Sequence, residues 1–225
     1  MLPEYLTSYE CQIKNHIAPA LGAIRLETLA AHMVQNFYNS LELPRNGKSG
    51  LSPKSIKNIH GILHRALQQA VTIGYIRFNP ADACVVPRVE HKELKPLDEN
   101  DIVKFMGAIK GHRYETVFLV TLFTGMREGE VLGLTWDCVD FNRGTITVNK
   151  QLQKALGGGS VYNLVPTKNG RGRVMAPAPY VMELLKLQHE RQEEWRVAAS
   201  PLWENDAGLV FSDERGKHLS HHTVY

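Results

Sequence analysis

Arg127, Glu128, Gly129 and Glu130 stand just past the most apolar run of the chain, TVFLVTLF at residues 116–123, with only Thr124-Gly125-Met126 between. A guanidinium beside so apolar a segment needs an anion, because arginine is rarely left in a core without one. Two partners are open to it. Glu130 or a neighbouring acid holds Arg127 in an internal pair, or the arginine waits for a phosphate. A second cationic cluster lies in TKNGRGR, residues 167–173, where Lys168 sits on a glycine-flanked turn with Arg171 and Arg173 beside it. A lysine so placed can swing into a groove, bind a phosphate or protonate an alkoxide leaving group. Seen alone, it is equally a solvated hairpin tip.

Other chemistries find less support. His60 and His64 are four apart on one helix, and His218, His221 and His222 cluster late in the chain. Zinc needs three or four ligands in register, and neither group anchors a third, so no metal is expected. There is no P-loop, no dinucleotide fingerprint and no nucleophile elbow, and no cofactor is expected.

Composition narrows the class. With 225 residues, 43% hydrophobic and 22% charged, the chain reads as one or two globular domains rather than a disordered or membrane protein. It lacks a basic-then-apolar leader, and its apolar run is far shorter than the roughly 20 residues of a membrane span. A cytoplasmic protein without membrane contact is expected. The three cysteines, Cys11, Cys84 and Cys138, are odd in number and far apart, which suits reduced thiols.

Net charge is only +3, but it is unevenly spread. Residues 43–81 contain no acid and six basic residues: Arg45, Lys48, Lys54, Lys57, Arg65 and Arg77. Such a stretch suggests a surface for a polyanion, against the plainer reading of a solvated face. Much of it falls on one helix. Ser52 caps that helix, Pro53 takes its first position and Gly74 stands just past its end. Its apolar stripe is Ile56, Ile59, Leu63, Ala66, Leu67 and Ala70. A second stripe, Lys54, Lys57, Asn58, Gly61, Arg65 and Gln68, has the cationic and amide groups and the small mid-face residue that suit DNA.

The remaining elements place these groups. A first helix is expected to stop near Pro19, and Thr28 to cap a second, followed by a basic loop at residues 44–50. Residues 85–96 are proline-flanked, charged and aperiodic, as in a linker. Asp98 and Asp101 resemble an acidic capping box opening the next helix. Beyond the apolar helix the period changes. Strands are expected at 145–148, at 161–165 and 173–176 around an Asn169-Gly170 turn, and at 209–211, with a helix over 179–199. The expected fold is mainly α with a small antiparallel sheet: a helical domain at 1–86, a linker at 87–96 and an α+β unit at 97–225.

On these residues the sequence resembles the tyrosine recombinase family, in particular phage-type and conjugative-transposon integrases. TLFTGMREGEVLGLTWDCVDF is similar to the family's first arginine box, with Arg127 at the arginine and Glu130 at the acid. TKNGRGRVMAPAP is similar to the hairpin bearing the family's active-site lysine, which points to Lys168. YECQIKNHIAPALGAIRLETL and LSPKSIKNIHGILHRALQQAVTIGYIRFNPA resemble the helical core-binding, SAM-like domain. LVFSDERGKHLSHHTVY is similar to the segment leading into the second box.

The resemblance implies an enzyme that clamps duplex DNA between two domains. A tyrosine attacks the scissile phosphate to give a 3′-phosphotyrosyl link, arginines bind the non-bridging oxygens and the lysine protonates the leaving 5′-oxygen. It implies Arg127, Glu130 and Lys168 as site residues, and Arg45, Lys48, Lys54, Lys57, Asn58, Arg65, Arg171 and Arg173 as DNA contacts. Implied partners are double-stranded DNA, other protomers in a tetrameric synapse, and accessory DNA-bending factors. The family's His-x-x-Arg box and nucleophilic tyrosine are not identifiable, since in the stretch from His218 a histidine, His221, occupies the arginine place and Tyr225 lies before the box. The chain is therefore expected to bind DNA without cleaving it, as part of an integrase cut short before those groups. The alternative is a naturally shortened regulator that occupies recombination sites.

Overall fold

Two hydrophobic clusters with no member in common organise the chain into two units, Met1–Leu94 and Lys95–Tyr225. The structure, a computed structural model, describes residues 3–44, 49–90, 93–155, 161–167 and 170–224. Arg45, Lys48, Lys168, Asn169 and Tyr225 lie outside them.

In the first unit, α1 (Pro3–Gln12) continues through a π-helical turn, Ile13–Ile17, into α2 (Ala18–Leu21). Pro19 does not itself break the helix, which ends near it, at Leu21. It falls in the first turn after the widened π segment, where a missing N–H matters least. Thr28 does not cap α3 (Ala31–Glu42) either. Its hydroxyl turns back to the Arg25 carbonyl at 2.9 Å, and α3 starts from Ala30 without a side-chain cap. Val34, Phe37, Tyr38 and Leu41 form the buried face of α3.

α4 (Pro53–Thr72) starts and ends as its sequence requires. Ser52 Oγ accepts the Ser55 N–H at 3.2 Å, and Pro53 occupies the first turn. At the far end Gly74 N donates to Val71 O and Tyr75 N to Ala70 O, the paired bonds of a Schellman motif. Ile56, Ile59, Leu63 and Leu67 share a core with the buried face of α3, and Ala70 is buried too, whereas Ala66, expected among them, is exposed at the margin of the stripe.

In the second unit, Asp98 Oδ1 accepts the Asp101 N–H at 2.8 Å and opens α5 (Glu99–Ile109). α6 (Glu115–Thr124) is the apolar helix, and the five-residue α7 (Glu128–Leu132) follows. Next come β1 (Val139–Asp140), β2 (Thr145–Val148), β3 (Lys150–Lys154), β4 (Tyr162–Pro166) and β5 (Arg173–Met175). The unit closes with α8 (Pro179–Ala199) and α9 (His221–Val224). Val117, Val120, Val131, Leu132, Ile146, Val148, Val181 and Leu185 meet in its core.

Strand pairing departs from expectation in two places. β4 and β5 do not pair with each other across the Asn169-Gly170 turn. β4 pairs antiparallel with β3, and β5 pairs antiparallel with β2, completing the sheet β1-β2-β5. The cause is β3 itself, whose polar sequence KQLQK offers only Leu152 to the core and so conceals a strand. Leu209–Phe211 is buried but joins no sheet: Leu209 makes a single bridge to Thr135, and the chain bends at Val210 and Phe211. Side chains of α8 occupy its backbone acceptors instead: Gln188 donates to Val210 O at 3.2 Å and Gln192 to Leu209 O at 3.0 Å.

Candidate phosphate and nucleic-acid site

The end of α6 sets the position of Arg127. Thr124 Oγ1 bonds back to Val120 O at 2.6 Å, and Gly125 adopts φ +62°, a left-handed conformation that glycine reaches without a Cβ clash. The chain then reverses, Met126 plugs into the core, and Arg127 becomes the extended residue that caps α7. An arginine at a helix N-cap has no oxygen with which to satisfy the first N–H groups. Glu130, at the third helical position, reaches back instead and accepts the Arg127 N–H on Oε2 at 3.0 Å.

Glu130 is the centre of the arrangement. Its side chain is 1% exposed, yet it is ionised because guanidinium groups reach it from two sides. Arg173, at the start of β5, straddles the carboxylate with Nη1 on Oε1 at 3.1 Å and Nη2 on Oε2 at 2.7 Å. Arg127 adds a single bond, Nη1 to Oε1 at 3.0 Å. The hydrogen bonds from Arg173, with those from Arg127, outweigh the desolvation of burial and bring the Glu130 carboxyl down to about 2. The same contact pushes the Arg173 guanidinium up. Both readings of Arg127 therefore have a physical basis: it is paired internally, and its side chain remains 72% exposed.

Backbone contacts hold this triad in place. α7 lies against β3 at close range: a Cβ on Gly129 would stand 3.0 Å from Leu152 O, so only a glycine lets the backbones approach without displacement. On the outer side His221 Nδ1 of α9 comes within 2.7 Å of Glu128 Oε1. Around the Lys168 loop, Thr167 is buried, with its N–H on Asn149 O at 3.3 Å and its hydroxyl on Arg171 O at 3.0 Å. Arg171 is exposed, and Arg173 follows as the first residue of β5. The two ends of the lysine loop are thus fixed, one by Thr167 and the other by the Arg173–Glu130 pair.

The sequence assigned Arg173 to DNA; both of its terminal nitrogens are engaged with Glu130. That contact was missed because Arg173 and Glu130 are 43 positions apart and meet through the β2–β5 pairing. The alternation of a strand carries the one available signal: Arg173 and Met175 share a face opposite Val174, which is 67% exposed.

In the first unit, Lys54, Lys57, Asn58, Gly61, Arg65 and Gln68 are all exposed on α4. Among the described residues no ion pair neutralises Lys54, Lys57 or Arg65. The two histidines of α4 serve other contacts: His60 Nδ1 lies 3.0 Å from the Tyr38 hydroxyl, and His64 Nε2 lies 2.8 Å from Asp82 Oδ1. Burial, with the neighbouring His64, holds His60 below its usual pKa. Asn79 is buried and ties the following turn to α4 through the His64 carbonyl at 3.1 Å. No group of three or more His, Cys, Asp or Glu among the described residues is arranged to hold a metal, and no helix among them is long and apolar enough to cross a membrane.

Comparison with known proteins gives the family and the fold. The phage integrase family model matches residues 95–225, and the phage integrase N-terminal SAM-like domain matches residues 2–42. A tyrosine recombinase XerC-like protein of Caldanaerobacter subterraneus subsp. tengcongensis is 29% identical, over 95% of this chain and 58% of its own length. The ICEBs1 integrase of Bacillus subtilis is 27% identical, over 94% and 54%. The chain thus spans about half the length of the curated relatives it matches. Among solved structures, the Tn1549 transposon integrase in complex with transposon right end DNA superposes with a TM-score of 0.83. It is 20% identical, over 99% of this chain and 70% of that one, a likeness of fold. With the integrase model covering more than half of its residues, this chain belongs to the phage integrase family of tyrosine recombinases.

Proposed function

We propose that this protein binds duplex DNA as a site-specific recombinase, with Arg127 as a ligand of the scissile phosphate, Glu130 holding it and Lys168 as the proton donor to the leaving oxygen. The observation that carries this reading is Arg127 itself. It is anchored through its backbone and one Nη to a buried carboxylate, while its side chain as a whole stays 72% exposed. A group so held can neutralise charge that develops on a phosphodiester without first being reorganised. The exposed, unpaired cations of α4, with Arg45, Lys48 and Arg171, supply the electrostatic footprint for the rest of the duplex.

In its complete form such an enzyme breaks and rejoins strands through a 3′-phosphotyrosyl intermediate, conserving bond energy without a nucleotide cofactor. Its partners are DNA, further protomers and accessory DNA-bending factors. A lambda integrase, 19% identical to this chain, has been solved as a tetramer bound to a Holliday junction, and the same assembly is proposed here. The 225 residues contain no His-x-x-Arg, so the chain by itself is proposed to bind without cleaving. The test is an electrophoretic binding assay run beside a nicked suicide duplex. Salt-sensitive binding with no covalent adduct is expected. A phosphotyrosyl adduct would overturn the non-cleaving assignment, and the absence of salt-sensitive binding would overturn the DNA-binding one.

A further inference from the structure

We infer that Arg173 is a positioning residue: it occupies the Glu130 carboxylate so that Glu130 cannot capture Arg127, and so leaves the charge of Arg127 available to an external phosphate. The inference rests on Arg127 being the phosphate ligand and adds what keeps it free.

The argument begins with charge. Glu130 is 1% exposed and ionised, so it must be paired, since a buried carboxylate without a partner is strongly unfavourable. Arg127 is the cation nearest in sequence, and a planar guanidinium prefers two parallel bonds to a carboxylate over one. With only these two residues, the stable outcome is a closed Arg127–Glu130 pair with net charge zero. Arg173 prevents it. Its two Nη atoms take one carboxylate oxygen each, at 3.1 and 2.7 Å. Arg127 is left with one side-chain bond, at 3.0 Å, and a side chain 72% exposed, against 39% for Arg173. The three groups together carry one net positive charge, and the more exposed guanidinium presents it. The arrangement also registers the lysine loop, because Arg173 ends that loop and grips the residue that holds Arg127.

This role differs from a direct phosphate contact by Arg173 and from a merely structural ion pair, and four variants of the full 225-residue chain separate the three. Two properties are read: the NMR exchange between the Nη groups of Arg127, which reports guanidinium rotation, and affinity for a short B-form duplex. In Arg173→Gln, Glu130 closes on Arg127, whose rotation slows, and duplex affinity falls about tenfold, the loss of one charge-assisted phosphate bond. Arg173→Lys, which keeps the charge but offers one bond, lies between this variant and wild type. In Glu130→Gln/Arg173→Gln the captor is removed with its partner, so Arg127 rotates freely and affinity recovers most of the loss. A purely structural role would lower thermal stability in both variants without this recovery.

Two outcomes would overturn the inference. One is a double variant that binds as weakly as Arg173→Gln, which would mean Arg173 touches phosphate itself. The other is unchanged Arg127 rotation in Arg173→Gln. The underlying reading fails separately, if Arg127→Gln binds duplex as tightly as wild type. In that case the rotation of Arg127 still decides whether Arg173 keeps it from Glu130.

Discussion

Trp136 donates its indole Nε1–H to Gln192 Oε1 at 2.6 Å, and the Gln192 amide nitrogen turns to Leu209 O, Val210 O and Ser212 Oγ at 3.0, 3.3 and 2.8 Å. One buried side chain therefore joins Trp136 of the arginine box to the segment at 209–212, in the place a sheet partner would otherwise take. Gln192→Leu takes away the partner of the indole N–H and of the Ser212 hydroxyl, whereas Leu209 O keeps Asn205 and Val210 O keeps Gln188. An unsatisfied buried group costs about 1–3 kcal/mol, so the variant should lose roughly 2 kcal/mol of stability. Urea unfolding followed by tryptophan fluorescence measures this, and a loss below about 1 kcal/mol would sink the assigned role.

Gly133 shows a different constraint. A Cβ there would meet Leu152 N and stand 2.7 Å from the Gln151 carbonyl carbon, so β3 passes α7 at a distance only glycine permits. Gly133→Ala must displace backbone against backbone and is expected to cost about 1–3 kcal/mol, the range for overpacking a well-packed core. Gly61, on the exposed face of α4, is the control: its added Cβ meets nothing within 4 Å. Gly61→Ala should raise stability by about 0.5–1 kcal/mol through helix propensity. Chemical denaturation of both variants checks the pair, and equal effects would contradict the close approach at Gly133.

These two glycines mark what the sequence could disclose. The boundaries of α4 were legible because Ser52, Pro53 and Gly74 act within a turn of where they stand, and the apolar helix before Arg127 because its composition admits one environment. Arg127 and Glu130 were legible as a pair for the same reason, being three residues apart at a helix start. The strand pairing was not, because KQLQK carries no β pattern and its partner β4 is chosen by contacts across a loop. The contact of Arg173 with Glu130 was not legible either. It depends on the β2–β5 register, and register is a tertiary property that local spacing does not encode.

The pairing of Glu130 with Arg173 and Arg127 makes the second unit sensitive to acid in a defined window. Its carboxyl lies at about 2 in the folded chain against a usual 4.5. A carboxyl lowered by folding contributes stability that is present above the unfolded value and lost as pH falls through the folded one. The contribution is therefore complete above pH 4.5 and disappears toward about pH 2. A shift of this size corresponds to roughly 3 kcal/mol at 1.36 kcal/mol per unit. Unfolding free energies of wild type should fall across that window, and those of Glu130→Gln should fall less steeply from a lower plateau. Parallel pH profiles for the two chains would show that Glu130 is not the group responsible.

Binding by α4 makes its own prediction through salt. Lys54, Lys57 and Arg65 lie exposed along one face, with Asn58 and Gly61 between them. If each cation neutralises one phosphate, each releases condensed counterions, and the logarithm of affinity falls with the logarithm of salt with a slope of roughly −0.9 per contact. Lys54→Gln, Lys57→Gln and Arg65→Gln should each weaken duplex binding and reduce that slope by about one, whatever the sequence of the duplex. Asn58 carries no charge, so Asn58→Ala should leave the slope unchanged; if it weakens binding to some sequences more than others, Asn58 contacts a base edge. Fluorescence anisotropy across a salt series measures both quantities. Three charge variants with the wild-type slope would remove α4 from the interface, even if the chain still bound DNA through its second unit.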